Sequence, residues 1–92
     1  MELAERFGKN LRRARKAAGM SQEAVAIRAS VHRTEVGLLE RGERTPRIDT
    51  ALKMAGAVGV PLADLVDGIA WTPGETQRGQ FEPPCRVPCD HA

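Results

Sequence analysis

The stretch from Met20 to Gly42, MSQEAVAIRASVHRTEVGLLERG, limits the possible folds of this chain more than any other. Its apolar or small residues form two groups, Val25, Ala26 and Ala29, then Val31, Val36 and Leu39. Gln22, Glu23, Arg28, Arg33, Thr34 and Glu35 fill the outward positions between them. Spacings of three and four, from Val25 and Ala26 to Ala29 and from Val36 to Leu39, place these apolar residues on one face of each helix. Two such faces joined through Ala29-Ser30-Val31 predict a pair of short helices with a tight turn.

The flanking sequence extends this pattern. Leu3, Phe7, Leu11, Ala14 and Ala18 form an apolar stripe, predicting a helix from about Glu2 to Ala18. Gly19 is placed to end it in the left-handed conformation, and Ser21 to cap the next helix, Gln22 to Ala29. The third helix should span Arg33 to Arg41, with Glu35 in its first turn, where the dipole favours a negative charge, and Gly42 as its stop. Thr45-Pro46 opens a fourth over Ile48 to Val58, whose inward face reads as Ile48, Leu52, Ala55 and Val58, with Ala51 beside it. Gly59 closes it, and Pro61 leads into a last turn, Leu62 to Val66, with Leu62 and Leu65 on the core. Five helices in residues 1–68 predict a compact all-α domain.

Beyond Gly68 the composition shifts: Pro73, Pro83, Pro84 and Pro88 are four of the chain's six prolines. Residues 69–92 therefore read as a C-terminal extension. Ile69–Thr72 and Gln80–Glu82 are candidate strands of a hairpin, and the last ten residues read as irregular. The cysteines, Cys85 and Cys89, lie in this tail, so no disulfide framework supports the fold. The start, MELAERFGKN, lacks the apolar core of a signal peptide, and no apolar run is long enough to span a membrane, giving a cytoplasmic reading.

A chain of 92 residues has room for one small core and little for a deep catalytic pocket. No Ser/His/Asp set, metal tetrad or glycine-rich phosphate loop appears, so neither an enzyme nor a cofactor is expected. The net charge of +2 decides little, but its distribution is uneven. Residues 1–68 hold 12 Lys and Arg against 9 Asp and Glu, and the extension holds 2 against 3. Arg12, Arg13, Arg15 and Lys16 form one cluster, and Arg41, Arg44 and Arg47 another. A short helix packed by its apolar edge, with hydrogen-bonding residues outward and arginines around it, has the form of a major-groove reader.

The order Ser21-Gln22-Glu23, Ala26, Val31, Val36, Leu39-Glu40-Arg41-Gly42, Pro46, Thr50-Ala51-Leu52 and Ala57-Val58-Gly59-Val60 resembles the lambda-repressor-like helix-turn-helix domain of phage repressors and XRE-family regulators. The resemblance covers roughly residues 3–66. It implies a five-helix domain binding double-stranded DNA, with the helix at 33–41 in the major groove. By position, Gln22 resembles the glutamine that anchors a phosphate and braces the reading helix. Arg33, Thr34 and Leu38 resemble base-contacting positions, with Arg33 suited to guanine O6 and N7. Arg41, Arg44 and Arg47 resemble the phosphate-contacting loop, and Arg15 and Glu40 a pair holding the reading helix against the first helix.

Several residues depart from that pattern. Leu38 replaces a polar residue and suits a thymine methyl or packing against a neighbour. Glu35 either accepts from cytosine N4 or supports the helix start. His32 stands where a serine cap is common, as does Arg47 one helix later. Gly37 costs helix stability, roughly 1 kcal/mol against alanine, and is either a tolerated weakness or a means of close approach to a DNA backbone.

A single reading helix covers little groove, so a homodimer on a palindromic operator is expected, with the segments around Trp71 and Phe81 as the candidate contact. Two alternatives stay open. One is a protein-interaction or antitoxin-like module on the same scaffold. The other is a metal- or redox-responsive regulator using Cys85, Cys89 and His91, although three ligands fall short of a structural zinc site and a disulfide or inert tail fits better.

Overall fold

The computed structural model describes residues 3–74 and 79–82. Five helices follow one another: α1 (Leu3–Ala17), α2 (Gln22–Ala29), α3 (Arg33–Glu40), α4 (Ile48–Val58) and α5 (Leu62–Leu65). Two strands, β1 (Ala70–Thr72) and β2 (Gln80–Glu82), pair antiparallel with Trp71 opposite Phe81. The fold is thus an all-α body with a two-stranded extension, as the residue pattern predicts. The expected cysteine and histidine cluster at Cys85, Cys89 and His91 lies outside the described residues.

The helix boundaries have local causes. Gly19 (φ 70°), Gly42 (φ 73°) and Gly59 (φ 79°) adopt the left-handed conformation that ends a helix without steric cost. Ser30 does the same between α2 and α3 at φ 59°, its N–H donating to Ala26 and Ile27 carbonyls. At the other ends, Ser21 Oγ accepts from Ala24 N at 3.0 Å and His32 Nδ1 accepts from Thr34 N at 3.1 Å. His32 is therefore a working cap in serine's place, whereas Arg47, the N-cap of α4, makes no side-chain cap bond.

Phe7 and Leu11 of α1, Val25 of α2, Val36 and Leu39 of α3, Met54 of α4 and Leu65 of α5 are the large side chains fully buried in one core. Each is worth about 1.5–3 kcal/mol removed from water. Helix α1 packs on α3, α4 and α5, and α2 packs on α3 and α4.

Two expected stripes are corrected. Ala18 lies outside α1 and is exposed, while Ala4 and Asn10 are buried instead. In α4, Ile48 is 71% and Leu52 54% exposed, and the inward face is Ala51, Met54, Ala55, Ala57 and Val58. At 3.6 residues per turn this face is rotated roughly a quarter turn from the expected one. The largest apolar side chains do not mark the buried face here, because small residues let helices close on one another and leave Met54 to fill the space between them.

Two close approaches complete the body. A Cβ on Gly8 would sit 2.3 Å from the Leu39 carbonyl oxygen and 2.7 Å from that of Glu40, so α1 crosses the end of α3 backbone to backbone. Asn10, only 2% exposed, donates from Nδ2 to the carbonyls of Leu65 and Asp67, both at 2.9 Å. Its Oδ1 accepts from Arg13 at 2.9 Å, so this buried amide ties α1 to the end of α5 with both its polar atoms paired.

Candidate nucleic-acid interface

Helix α3 presents its start to solvent. Arg33 and Thr34 are exposed, Leu38 is half-buried, and Val36 and Leu39 point into the core. Gln22, at the start of α2, comes beside them. Together with Glu23, Gly37 and Arg41, the residues Gln22, Arg33 and Thr34 line one shallow concavity of about 370 Å³. Three of the expected contact residues and one loop arginine thus share a surface. Leu38, Arg44 and Arg47 do not line it.

Behind this surface lies a buried carboxylate. The Glu40 side chain is fully buried and accepts from Arg15 twice, Nε to Oε2 at 2.5 Å and NH2 to Oε1 at 3.0 Å. Gln22 Nε2 donates to Oε1 at 3.1 Å, and Arg12 Nε reaches the same oxygen at 3.4 Å. Arg15 also donates to the Met20 carbonyl at 2.9 Å. One carboxylate therefore joins α1, α2 and α3 just where α2 and α3 turn outward. Burial pushes the Glu40 carboxyl up, but the hydrogen bonds from Arg15 and Gln22 and the Arg15 charge outweigh it and hold it below the ordinary glutamate value. The Arg15–Glu40 pairing is the one that the family resemblance implies. The bond from Gln22 to Glu40 braces the reading helix as the resemblance implies, whereas the approach of Arg12, one turn before Arg15, is not anticipated by the sequence.

The arginine loop carries its own counter-charges. Arg44 pairs with Glu35 at 2.5 Å, Arg41 with Glu43 at 2.8 Å and Arg47 with Asp49 at 3.5 Å. Glu35 thus has a role besides the two considered from sequence, as the partner of a loop arginine. Among the described residues no carboxylate lies within ion-pair distance of Arg33. These exposed pairs hold their arginines loosely, since each is worth about 0–1 kcal/mol and can be exchanged for a phosphate.

Gly37 is buried within α3, and a Cβ there would meet Arg41 NH1 at 3.0 Å and lie 3.8 Å from Gln22 Oε1. The space left by the missing side chain is occupied by a guanidinium of the chain itself.

The helix-turn-helix family HTH_3 matches residues 11–65. An uncharacterised HTH-type transcriptional regulator of Sinorhizobium fredii, y4dJ, is 34% identical over 77 residues, spanning 84% of this chain and all of that protein. The control protein C.BamHI of Bacillus amyloliquefaciens is 39% identical over 62 residues, 66% of this chain and 76% of its own. Among solved structures, the restriction-modification controller protein C.AhdI from Aeromonas hydrophila superposes with a TM-score of 0.65 at 37% identity, over 67% of this chain and 94% of that one.

Proposed function

Since the chain belongs to the HTH_3 helix-turn-helix family, we propose that this DNA-binding transcription regulator reads a two-fold operator as a homodimer, with α3 of each copy in the major groove. The observation that carries this reading is the shared surface of Gln22, Arg33, Thr34 and Arg41, braced from behind by the buried Glu40. Arg33 has the geometry-independent advantage of a forked donor: one guanidinium satisfies both acceptors of guanine. Thr34 bonds to several bases, and Leu38, half-buried, offers an apolar edge to a thymine methyl. Gln22 contributes one amide hydrogen to Glu40 and keeps the other for a phosphate. Arg41, Arg44 and Arg47 neutralise phosphates, which adds affinity without sequence choice. The similarity to restriction-modification control proteins supports a regulator of this kind.

The test is selection of bound sequences from random duplex DNA with the wild-type chain and Arg33→Ala. The wild type should return a preferred half-site, and the variant should lose preference at one base position at a cost of about 1–3 kcal/mol. Identical preferences would remove Arg33 from the reading edge. Selection of no sequence at all would favour the protein-interaction reading of the same scaffold.

A further inference from the structure

Arg41 follows Gly37 by four residues, one helical turn along the same face, and its backbone N–H donates to the Gly37 carbonyl at 3.0 Å. Helical side chains lean toward the N-terminus and cover the turn before their own. At this point of α3 that turn is bare. The guanidinium therefore lies down on the helix, close enough that even a methyl group at position 37 would be 3.0 Å from NH1. Glu43 Oε2 holds Nε at 2.8 Å from the other side. Held between the bare turn and Glu43, the guanidinium lines the same concavity as Gln22, Arg33 and Thr34, although its Cα belongs to the cap of α3. Two arginines, Arg33 and Arg41, then share the lining of that concavity with one acidic residue, Glu23.

We propose that Gly37 is a positioning residue: by lacking a side chain it seats Arg41 on the reading surface, where Arg41 takes a DNA phosphate beside the bases contacted by Arg33 and Thr34. This rests on the DNA-binding reading above and adds to it a reason for a glycine in a helix interior. The glycine serves Arg41 and not a closer approach of the α3 backbone to DNA. An alanine methyl at position 37 would lie 3.0 Å from Arg41 NH1, so the guanidinium must shift by a few tenths of an ångström off its seat to admit it. That displacement is easy, because half of the Arg41 side chain is exposed and free to swing toward the loop.

The experiment is a two-by-two set, wild type, Gly37→Ala, Arg41→Ala and the double variant, titrated with a labelled duplex carrying the sequence that the wild type selects. Gly37→Ala and Arg41→Ala should each weaken binding about tenfold and flatten the dependence of log K on log salt by about one unit, the signature of one lost phosphate contact. The double variant should be within about twofold of either single one, because both remove the same contact. Thermal unfolding separates a folding defect: alanine is the better helix former, so Gly37→Ala should melt no lower than the wild type. A second full loss when Gly37→Ala is added to Arg41→Ala would show that the glycine acts through backbone approach and overturn the proposal. Full affinity of Gly37→Ala would overturn it equally. A wild type that selects no DNA fails before any variant is compared, and takes the DNA-binding reading and this proposal down together.

Discussion

At the scale of single residues, the central one is Glu40. Its carboxylate is fully buried and accepts four hydrogen bonds, from Arg15 twice, Gln22 and Arg12. Glu40→Ala leaves the Arg15 side chain, only 12% exposed, without its counter-charge, and should cost about 3–5 kcal/mol in denaturant unfolding. The pH dependence follows from the same contacts. The folded state holds this carboxyl below its ordinary value. On acidification the unfolded chain therefore takes up the proton first. The stabilisation is complete above the ordinary glutamate value and is lost as pH falls through the lowered one. Urea midpoints measured from pH 6 downward should fall in that acidic window, and the fall should be shallower in Glu40→Gln. Equal slopes in both proteins would place the acid sensitivity elsewhere. Glu35 calls for the opposite expectation. Its bond to Arg44 is partly exposed on both sides, so Glu35→Gln should change stability by less than about 1 kcal/mol. By freeing Arg44 for phosphate and removing a negative charge from the interface, it should tighten binding a few-fold. Weakened binding with loss of one base preference would instead make Glu35 a reader of cytosine.

At the scale of elements, the helix-turn-helix pair was readable because its signals are local. Ser21 and Gly42 bracket it by capping chemistry that depends on a few adjacent residues, and α2 begins and α3 ends beside those signals. The Arg15–Glu40 pairing was readable through the family resemblance, which places both residues by their order in the motif. What escaped the sequence depends on contact between elements. The inward face of α4 is set by Ala51, Met54, Ala55 and Ala57 packing on other helices, and nothing within residues 48–58 distinguishes it from the face that carries Ile48 and Leu52. Asn10 looks like a surface residue until α5 ends beside it with two open carbonyls. Gly8 looks like a weak point in α1 until the end of α3 crosses it. For that reason Gly8→Ala should reverse the usual gain of alanine in a helix. The new methyl would press on two backbone carbonyls, which cannot rotate away as a side chain can. The substitution should destabilise by about 1–3 kcal/mol, or more where the helices cannot separate. Thermal unfolding checks it, and a variant more stable than the wild type would show that the α1–α3 crossing is loose.

At the scale of the whole molecule, the question is how so small a reading surface selects a site. Helix α3 has 8 residues, roughly 12 Å at 1.5 Å per residue, which is the length of about three or four base pairs. In the proposed binding mode one copy would read too little sequence, and two copies on half-sites about one helical turn apart would double it. In the homodimer proposed above, the β1–β2 ribbon is the expected joint. It contributes no described residue to the helical core, and Trp71, at its pairing centre, is 55% exposed. A chain ending at Gly68 should therefore keep its melting temperature within a few degrees and lose self-association. In sedimentation it should run as a monomer at concentrations where the full chain is a dimer. Its affinity for a palindromic duplex should fall toward that for a single half-site, because the second half-site no longer benefits from a tethered copy. An unchanged dimer would sink the ribbon as the contact and move it to the helical body, where Ile48 and Leu52 lie one turn apart on α4 and both face solvent. Substituting those two residues with Lys would then separate the copies of the shortened and the full chain alike, whereas a dimer joined by the ribbon should survive the same pair of changes in the full chain.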